Sequence, residues 1–306
     1  MAALGCELPS SSDAGGGRAA PAASPLAFFV RGAYGRDTTC APPGAEADNG
    51  CAPGTGVDRI RAAGFNTVQA DARQSALSAL RAKGLMAMVW LGGWDKHRCR
   101  WEESDARLPT LVAAAKPAEA VVAYYLADEP LLSSCPDAPA AFRARTQLVH
   151  RLDPGSRTFT LIQDWDGGPM NYASWKGSVD VLGFDVYPCS FRNAADTSAS
   201  PKVRQPCDFA GVTRADIDRI QRAGITGYLA VLQDFQDCYY ELPTAADLRV
   251  QMQEWQRRAR GLAGYLFFSW NWTGEECTYG SLGVNLDHVP GNVDELAFEN
   301  GHSFRP

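Results

Sequence analysis

The sequence predicts an α/β fold of the (β/α)8 TIM-barrel type, in which eight parallel strands alternate with helices. Eight short segments rich in Val, Phe, Tyr, Leu and Ile alternate with longer segments rich in Ala, Arg and Gln. The short segments are nearly continuous apolar runs, which is typical of parallel strands covered on both faces. The chain has 306 residues, and one such barrel takes about 250 residues.

The predicted strands follow one another along the whole chain. They are Phe28–Tyr34, Thr67–Ala70, Leu85–Leu91, Val121–Ala127, Thr158–Gln163, Val179–Val186, Gly227–Leu232 and Gly264–Trp270. The helical segments between them include VDRIRAAG, RQSALSALRAKG and RADIDRIQRAG, which end in Gly, a common C-terminal stop. An open doubly wound sheet is the alternative, but no glycine-rich phosphate loop follows the first strand.

The first 25 residues differ in composition from the rest. They are Ala, Gly, Ser and Pro with almost no large apolar side chain, so they bury too little surface to offset the entropy of ordering. We predict a disordered leader or linker over 1–25 and a single catalytic barrel domain over 26–306. Within the leader, the segment Ala3-Leu4-Gly5-Cys6 resembles the end of a bacterial lipoprotein signal, which implies a lipid anchor at Cys6. An unmodified, accidental cysteine is the alternative.

Composition excludes several functional classes. The net charge of −6 argues against a nucleic-acid partner, which would require a basic face. No apolar run reaches the roughly 18 residues of a transmembrane segment. There are 4 His and no HExxH, CxxC or GxSxG motif, so we expect no metal, no cofactor and no serine nucleophile. We expect a monomer with a carbohydrate substrate.

Carboxylates, amides and tryptophans gather where the predicted strands end. In this fold the active site lies at the C-terminal ends of the strands. Trp faces suit the C–H faces of sugar rings, and carboxylates and amides bind sugar hydroxyl groups. The segments therefore predict a carbohydrate cleft. Its predicted substrate-binding residues are Asp128, Trp90, Trp94, Gln163, Trp165, Tyr187, Gln233, Trp270, Asn271 and Glu275.

Hydrolysis of a glycosidic bond requires two carboxyl groups, one of which acts as an acid. Glu129 is the acid candidate, because it follows an apolar strand and precedes Pro130, which ends that strand. A salt-bridged loop residue is the alternative interpretation of Glu129.

The segment Ala127-Asp128-Glu129-Pro130 resembles the Asn-Glu-Pro motif that ends strand four in the clan A glycoside hydrolases. The resemblance covers the barrel layout from about residue 26 to 300, and it implies that Glu129 is the acid/base. That family has a nucleophilic Glu at the end of strand seven, where this sequence has Gln233. The second carboxylate then comes from elsewhere, with Asp185 and Asp234 ranked ahead of Glu275 and Glu276. Otherwise the chain is a non-catalytic carbohydrate-binding barrel.

The chain has 9 Cys, and apart from Cys6 they form an even set in predicted loops. An even set in loops indicates four disulfides and an oxidising compartment, so we expect a secreted or extracytoplasmic protein. Because neighbouring βα loops are adjacent in a barrel, the predicted pairs are Cys40–Cys51, Cys99–Cys135, Cys189–Cys207 and Cys238–Cys277. Scattered buried thiols are the alternative.

Overall fold

The computed structural model describes residues 26, 28–34, 56–163, 172–192, 203, 205–237, 239–270 and 289–302. The strands are β1 (Val30–Tyr34), β2 (Thr67–Asp71), β3 (Met86–Trp90), β4 (Trp94–Asp95), β5 (Arg100–Trp101), β6 (Val121–Ala127), β7 (Thr158–Gln163), β8 (Val181–Val186), β9 (Tyr228–Gln233) and β10 (Leu262–Phe268). The helices are α1 (Gly56–Ala62), α2 (Gln74–Ala82), α3 (Leu108–Ala115), α4 (Ala138–Leu152), α5 (Tyr172–Trp175), α6 (Phe209–Arg222), α7 (Ala245–Arg258) and α8 (Pro290–His302). The predicted leader lies outside the described residues.

Eight of these strands close into a barrel in the order β1-β10-β9-β8-β7-β6-β3-β2. Every neighbouring pair in it is parallel, which confirms the predicted fold. Consecutive parallel strands need a crossover connection, and the helices between them provide it. The short antiparallel hairpin β4–β5, which follows β3, was not expected, because two-residue strands produce no periodic pattern.

The apolar residues form two separate cores. One consists of strand residues that fill the barrel interior, such as Val30, Met88, Phe159 and Leu229. The other lies between the outer faces of the strands and the surrounding helices, and it contains Ile60, Leu80 and Trp255. Both strand faces are thus buried, which explains the continuous apolar runs in the sequence.

Side-chain caps stabilise the N-terminal ends of two of the longer helices. At α7 the hydroxyl of Thr244 accepts from the backbone N–H of Asp247, and the Asp247 carboxylate accepts from the backbone N–H of Thr244, which forms a capping box. At α6 the carboxylate of Asp208 accepts from the N–H of Gly211 at 2.8 Å. Among the described residues, none of the helices has the length and hydropathy to cross a bilayer.

The barrel closes where β1 and β10 pair, with Val30 opposite Gly264. A Cβ atom on Gly264 would lie 2.3 Å from the backbone oxygen of Val30 and 2.6 Å from its Cβ. Backbone atoms cannot move aside as a flexible side chain can, so only glycine fits at this position.

We therefore expect Gly264→Ala to destabilise the protein by about 1–3 kcal/mol or more, because overpacking at the closure displaces a strand. Urea denaturation measures the effect. The matched control is Gly291→Ala in α8, where an added Cβ meets nothing within 4 Å and stability is expected to be unchanged or slightly higher. Equal stability of the two variants would contradict the closure argument.

Candidate active site

Three carboxyl groups lie at the mouth of the barrel, the end where the C-terminal ends of the strands meet. Asp128 and Glu129 directly follow β6, and Asp185 lies in β8. Asp128 accepts hydrogen bonds from the hydroxyl groups of Tyr34 at 3.2 Å and Tyr125 at 2.6 Å. Its carboxylate therefore ties the end of β6 to the end of β1.

Glu129 adopts a backbone conformation that non-glycine residues rarely take. Its φ is 41°, and a residue that precedes a proline such as Pro130 normally favours extended geometry. Strained backbone of this kind clusters at functional sites. The carboxylate Oε2 lies 3.9 Å from Nζ of Lys96, which belongs to the turn between β4 and β5.

The Asp185 carboxyl is almost fully enclosed and lies next to the other two. It is 4% exposed, and the Glu129 carboxyl and the Tyr187 hydroxyl lie close enough to shift its pKa. Burial, followed by the negative charges of Glu129 and Asp128, raises its pKa well above the ordinary value. Its Oδ1 atom has no hydrogen-bond partner in the described part of the chain. Glu129 and Asp185 are therefore neighbouring carboxyl groups that interact electrostatically.

The tyrosines around this pair remain neutral hydrogen-bond donors. Burial raises the pKa of Tyr34, Tyr125 and Tyr187 well above the ordinary value. The nearby carboxylates raise these three pKa values further, because a second negative charge would be repelled. The sequence predictions included Tyr187 but missed Tyr34 and Tyr125. Tyr34 is the last residue of β1 and Tyr125 lies within β6, so in the sequence both look like core residues.

Two half-buried aromatic residues lie at the same end of the barrel as the carboxyl groups. Trp90, at the end of β3, packs edge-to-face on Tyr125, with ring centroids 4.8 Å apart. Tyr187, which follows β8, packs edge-to-face against Phe235 at 5.1 Å and Tyr240 at 5.4 Å. Such faces suit stacking with sugar rings.

Gln163 is the neighbour of Asp185 across β7 and β8. Its side chain is fully buried, and among the described residues neither its amide nitrogen nor its amide oxygen has a hydrogen-bond partner. An unsatisfied buried amide costs free energy, and such groups are suited to bind a ligand hydroxyl.

Gln233, which the sequence predicts to bind substrate, makes three hydrogen bonds to backbone groups of neighbouring loops. Its side-chain oxygen accepts from the N–H of Cys189 at 2.9 Å, and its Nε2 donates to the carbonyls of Cys189 at 3.1 Å and Glu241 at 2.9 Å. The amide is fully buried. It joins the loops that follow β8 and β9, and these contacts occupy both ends of the amide.

Asp234 contacts the C-terminal helix. Its Oδ1 accepts from Nδ2 of Asn292 in α8 at 2.7 Å, and the same Nδ2 donates to the carbonyl of Pro243. Burial raises the pKa of Asp234 to about 7. The hydrogen bond to Asn292 thus attaches α8 to the segment that follows β9.

Two of the predicted cleft tryptophans are packed inside the protein. Trp94 contacts Trp101 and Phe142, with centroids 4.9 and 5.5 Å apart. Trp270 is 1% exposed and packs edge-to-face against Phe65. Both belong to the core between the barrel and its helices, so the structure gives them packing contacts there.

Lys96 was not selected from the sequence. It lies in the loop segment DKHRCRWEE, which contains several basic residues. The sequence does not indicate which of them lies near Glu129, and the conformation of the β4–β5 turn places Lys96 there.

The structure contains two of the four expected disulfides, Cys99–Cys135 and Cys189–Cys207. The first joins the β4–β5 turn to the loop after β6, and the second lies in the connection between β8 and α6. The remaining expected residues lie outside the described part of the chain: Cys6, Cys40, Cys51, Trp165, Cys238, Asn271, Glu275, Glu276 and Cys277.

We expect Asp234→Asn to flatten the pH dependence of stability. Between about pH 4, the unfolded value, and pH 7, the folded state binds one more proton than the unfolded state, so stability falls as pH rises. The variant keeps a side-chain oxygen that accepts from Asn292 but does not titrate. The free energy of unfolding therefore loses the pH dependence due to Asp234, which is at most about 1.4 kcal/mol per pH unit. Urea denaturation at several pH values measures it. Asp218→Asn, at an exposed position, is the control. If Asp234→Asn had the same dependence of unfolding free energy on pH as the wild type, the raised pKa of Asp234 would be contradicted.

No protein-family model matches the sequence, and no curated protein matches it. Solved structures of glycosidases share the fold. The GH2 β-galacturonidase from Eisenbergiella tayi has a TM-score of 0.60 at 10% identity, covering 90% of this chain and 51% of that chain. The β-D-glucuronidase from Dictyoglomus thermophilum has a TM-score of 0.61 at 13% identity, with coverages of 90% and 51%.

The β-1,4-D-mannanase from Cryptopygus antarcticus has a TM-score of 0.53 at 13% identity, and it matches over 90% of this chain and 91% of its own. The chain spans about half the length of the galacturonidase and the glucuronidase. At such identities the likeness shows that the chain has the (β/α)8 barrel fold that these glycosidases share.

Proposed function

We propose that the protein hydrolyses glycosidic bonds of an oligosaccharide or polysaccharide. The observation that carries the proposal is the cluster of three carboxyl groups, Asp128, Glu129 and Asp185, at the mouth of the barrel, in which the buried Asp185 has a raised pKa. Glycoside hydrolysis uses two carboxyl groups in different protonation states. Burial and the negative charges of Glu129 and Asp128 raise the pKa of Asp185, and this favours a protonated carboxyl beside carboxylates that can ionise.

The surroundings of the cluster fit a sugar. Trp90 ends β3, the neighbour of β6, and Tyr187 directly follows β8; both residues are half-buried, and their faces suit the C–H faces of sugar rings. Gln163 offers a buried amide donor and acceptor. The glycosidases with the same fold support this choice among the many activities that barrels host.

The roles of individual carboxyls are predictions. The sequence resemblance assigns the acid role to Glu129, and of the two candidates for the second carboxylate we favour Asp185. Asp234 is the weaker candidate, because its described hydrogen bond goes to Asn292 of α8.

A non-catalytic carbohydrate-binding barrel is the second candidate. Gln233 favours it, because an amide replaces the expected strand-seven carboxylate and is committed to backbone groups. Such a protein would bind a glycan through the same aromatic residues without cleaving it.

We also propose an oxidising, extracytoplasmic location, which the two disulfides of the described residues support. The lipid anchor at Cys6, the monomeric state and the remaining two disulfides are further predictions of the sequence.

Glu129→Gln is expected to lower turnover by about 10²–10⁴-fold, because the amide cannot transfer a proton or act as a nucleophile. The measurement is release of reducing sugar from a glycan panel, together with thermal unfolding to show that the fold is kept. Asp218→Asn, on the exposed face of α6, is the matched control and keeps wild-type turnover. Wild-type turnover in Glu129→Gln would refute the role, and glycan binding without cleavage by the wild type would favour the second candidate.

The two tryptophans that follow or end β3 are expected to behave differently. Trp90→Ala removes a ring at the same end of the barrel as the carboxyl groups, so kcat/KM falls at least about tenfold with the loss of one stacking contact. Trp94→Ala opens a cavity between Trp101 and Phe142 and lowers stability by about 3–5 kcal/mol. Kinetics and urea denaturation of both variants separate the effects. A Trp94 variant with native stability, or a Trp90 variant with native kinetics, would contradict these placements.

A further inference from the structure

We propose that Tyr239 and Tyr240, in the segment between β9 and α7, form a further sugar-binding subsite outside the mouth of the barrel. Its ligand is a second residue of an uncharged glycan chain whose first residue lies at the carboxyl cluster. The inference rests on the proposed function and deepens it, because it makes the substrate a chain of several sugar residues rather than a short glycoside.

The first argument is a continuous row of aromatic rings that leads out of the mouth. Tyr187, which follows β8, packs on Tyr240 with ring centroids 5.4 Å apart. Tyr240 in turn contacts Tyr239 at 6.5 Å. Phe235 supports the row, because it packs on Tyr187 at 5.1 Å and on Tyr240 at 5.4 Å. A sugar ring on Tyr187 leaves Tyr239 two ring contacts away, where another residue of the same chain can lie.

The second argument is that exposure to solvent increases along this row. Phe235 is 5% exposed, Tyr187 and Tyr240 are half-buried, and Tyr239 is 37% exposed. Single exposed apolar side chains are common on proteins, and Phe298 of α8 is an example. Tyr239 differs from Phe298 because its ring extends a row that begins at the candidate active site. Its exposed ring offers an apolar surface to a sugar.

The third argument is that hydrogen bonds hold both tyrosines in place. The Asp237 carboxylate accepts from the backbone N–H of Tyr239 at 2.7 Å and of Tyr240 at 2.8 Å. The N–H of Phe191 donates to the carbonyl of Tyr239 at 2.8 Å, and Ser190 forms an antiparallel bridge with Tyr240. Rings that are positioned beforehand lose less entropy on binding, and tyrosine offers a large contact surface with few rotatable bonds.

The segment that supports the two tyrosines is itself fixed to the barrel. The Cys189–Cys207 disulfide holds the chain just before Ser190. The buried amide of Gln233, at the end of β9, bonds to both backbone groups of Cys189 and to the carbonyl of Glu241. Binding residues are often carried on loops that a rigid scaffold positions. The hydrogen bonds of Gln233 thus position the subsite.

The charges at this end of the barrel favour an uncharged chain. Three carboxyl groups form the cluster at the mouth, and Lys96 lies next to one of them. Asp237 adds a carboxylate in the turn that carries the two tyrosines. Like charges at a binding site disfavour an acidic sugar, whereas sugar hydroxyl groups can donate hydrogen bonds to carboxylates.

The subsite is tested by calorimetric titration with the di-, tetra- and hexasaccharides of the β-1,4-linked glucose and mannose series. The titrations use Glu129→Gln, so that the chains are not cleaved. We expect affinity to increase at least about fivefold from the disaccharide to the longer chains, the contribution of one aromatic contact. Adding Tyr239→Ala reduces this increase to less than about twofold, and Tyr239→Phe retains it because the ring remains.

Phe298→Ala is the matched control, because it also removes an exposed aromatic ring. Phe298 lies on α8 near the opposite end of the barrel, where Asn300 donates to the carbonyl of Ala63, which precedes β2. This variant keeps the full increase of affinity with chain length. Oligogalacturonides of the same lengths serve as the charged comparison, and tighter binding of these than of the uncharged chains contradicts the proposed ligand class.

Asp237 provides a separate check on the turn. Asp237→Ala removes the acceptor of both tyrosine N–H groups, so the increase of affinity with chain length becomes smaller. Asp237→Asn keeps an acceptor oxygen and retains the increase. An Asp237→Ala variant that binds the longer chains as tightly as its parent contradicts the role of the turn.

The outcomes separate this inference from the proposed function. If Tyr239→Ala keeps the full increase of affinity with chain length, the subsite is refuted, and cleavage by the wild type still supports a hydrolase. If the increase depends on Tyr239 but the wild type cleaves no chain, the subsite stands and the non-catalytic barrel is favoured. If none of the uncharged chains binds, the subsite is refuted, and cleavage of a short glycoside would leave the hydrolase proposal standing.

Discussion

Closure of the parallel barrel is the constraint on which the rest of the structure depends. The ladder closes only where β10 approaches β1 closely enough for Gly264 to lie against the Val30 backbone. Once the ring is closed, the C-terminal ends of all eight strands meet at one mouth. Asp128, at the end of β6, and Asp185, in β8, are distant in sequence, and this geometry brings them together.

The mouth of the barrel concentrates charge that the fold would avoid elsewhere. Three carboxyl groups face one another, and one of them is nearly fully buried. Folding tolerates this cluster because Tyr34 and Tyr125 donate to Asp128, and because Lys96 lies beside Glu129. The remaining repulsion is relieved when one carboxyl stays protonated. The same electrostatic repulsion that costs stability favours the protonated form of Asp185.

The loops around the mouth are held by polar side chains rather than by apolar packing alone. Gln233 joins the loops after β8 and β9 through three hydrogen bonds, and Asp234 holds α8 through Asn292. A disulfide strengthens each side, at Cys99–Cys135 and at Cys189–Cys207. Gln233 and Asp234 at the end of β9 thus hold the loops and the helix around the mouth of the barrel.

The sequence by itself determined the barrel, its eight strands and the position of Glu129 and Asp185 at strand ends, because apolar runs and strand order are local properties of the chain. It predicted Val121–Ala127 and Thr158–Gln163 to the residue. The tertiary structure alone decided which strand-end side chains meet. Trp94 and Trp270 pack in the core between the barrel and its helices. Gln233 bonds to backbone groups, and Lys96 lies next to Glu129. The direction of a side chain beyond a strand depends on loop geometry, burial and distant partners, and local periodicity contains none of these.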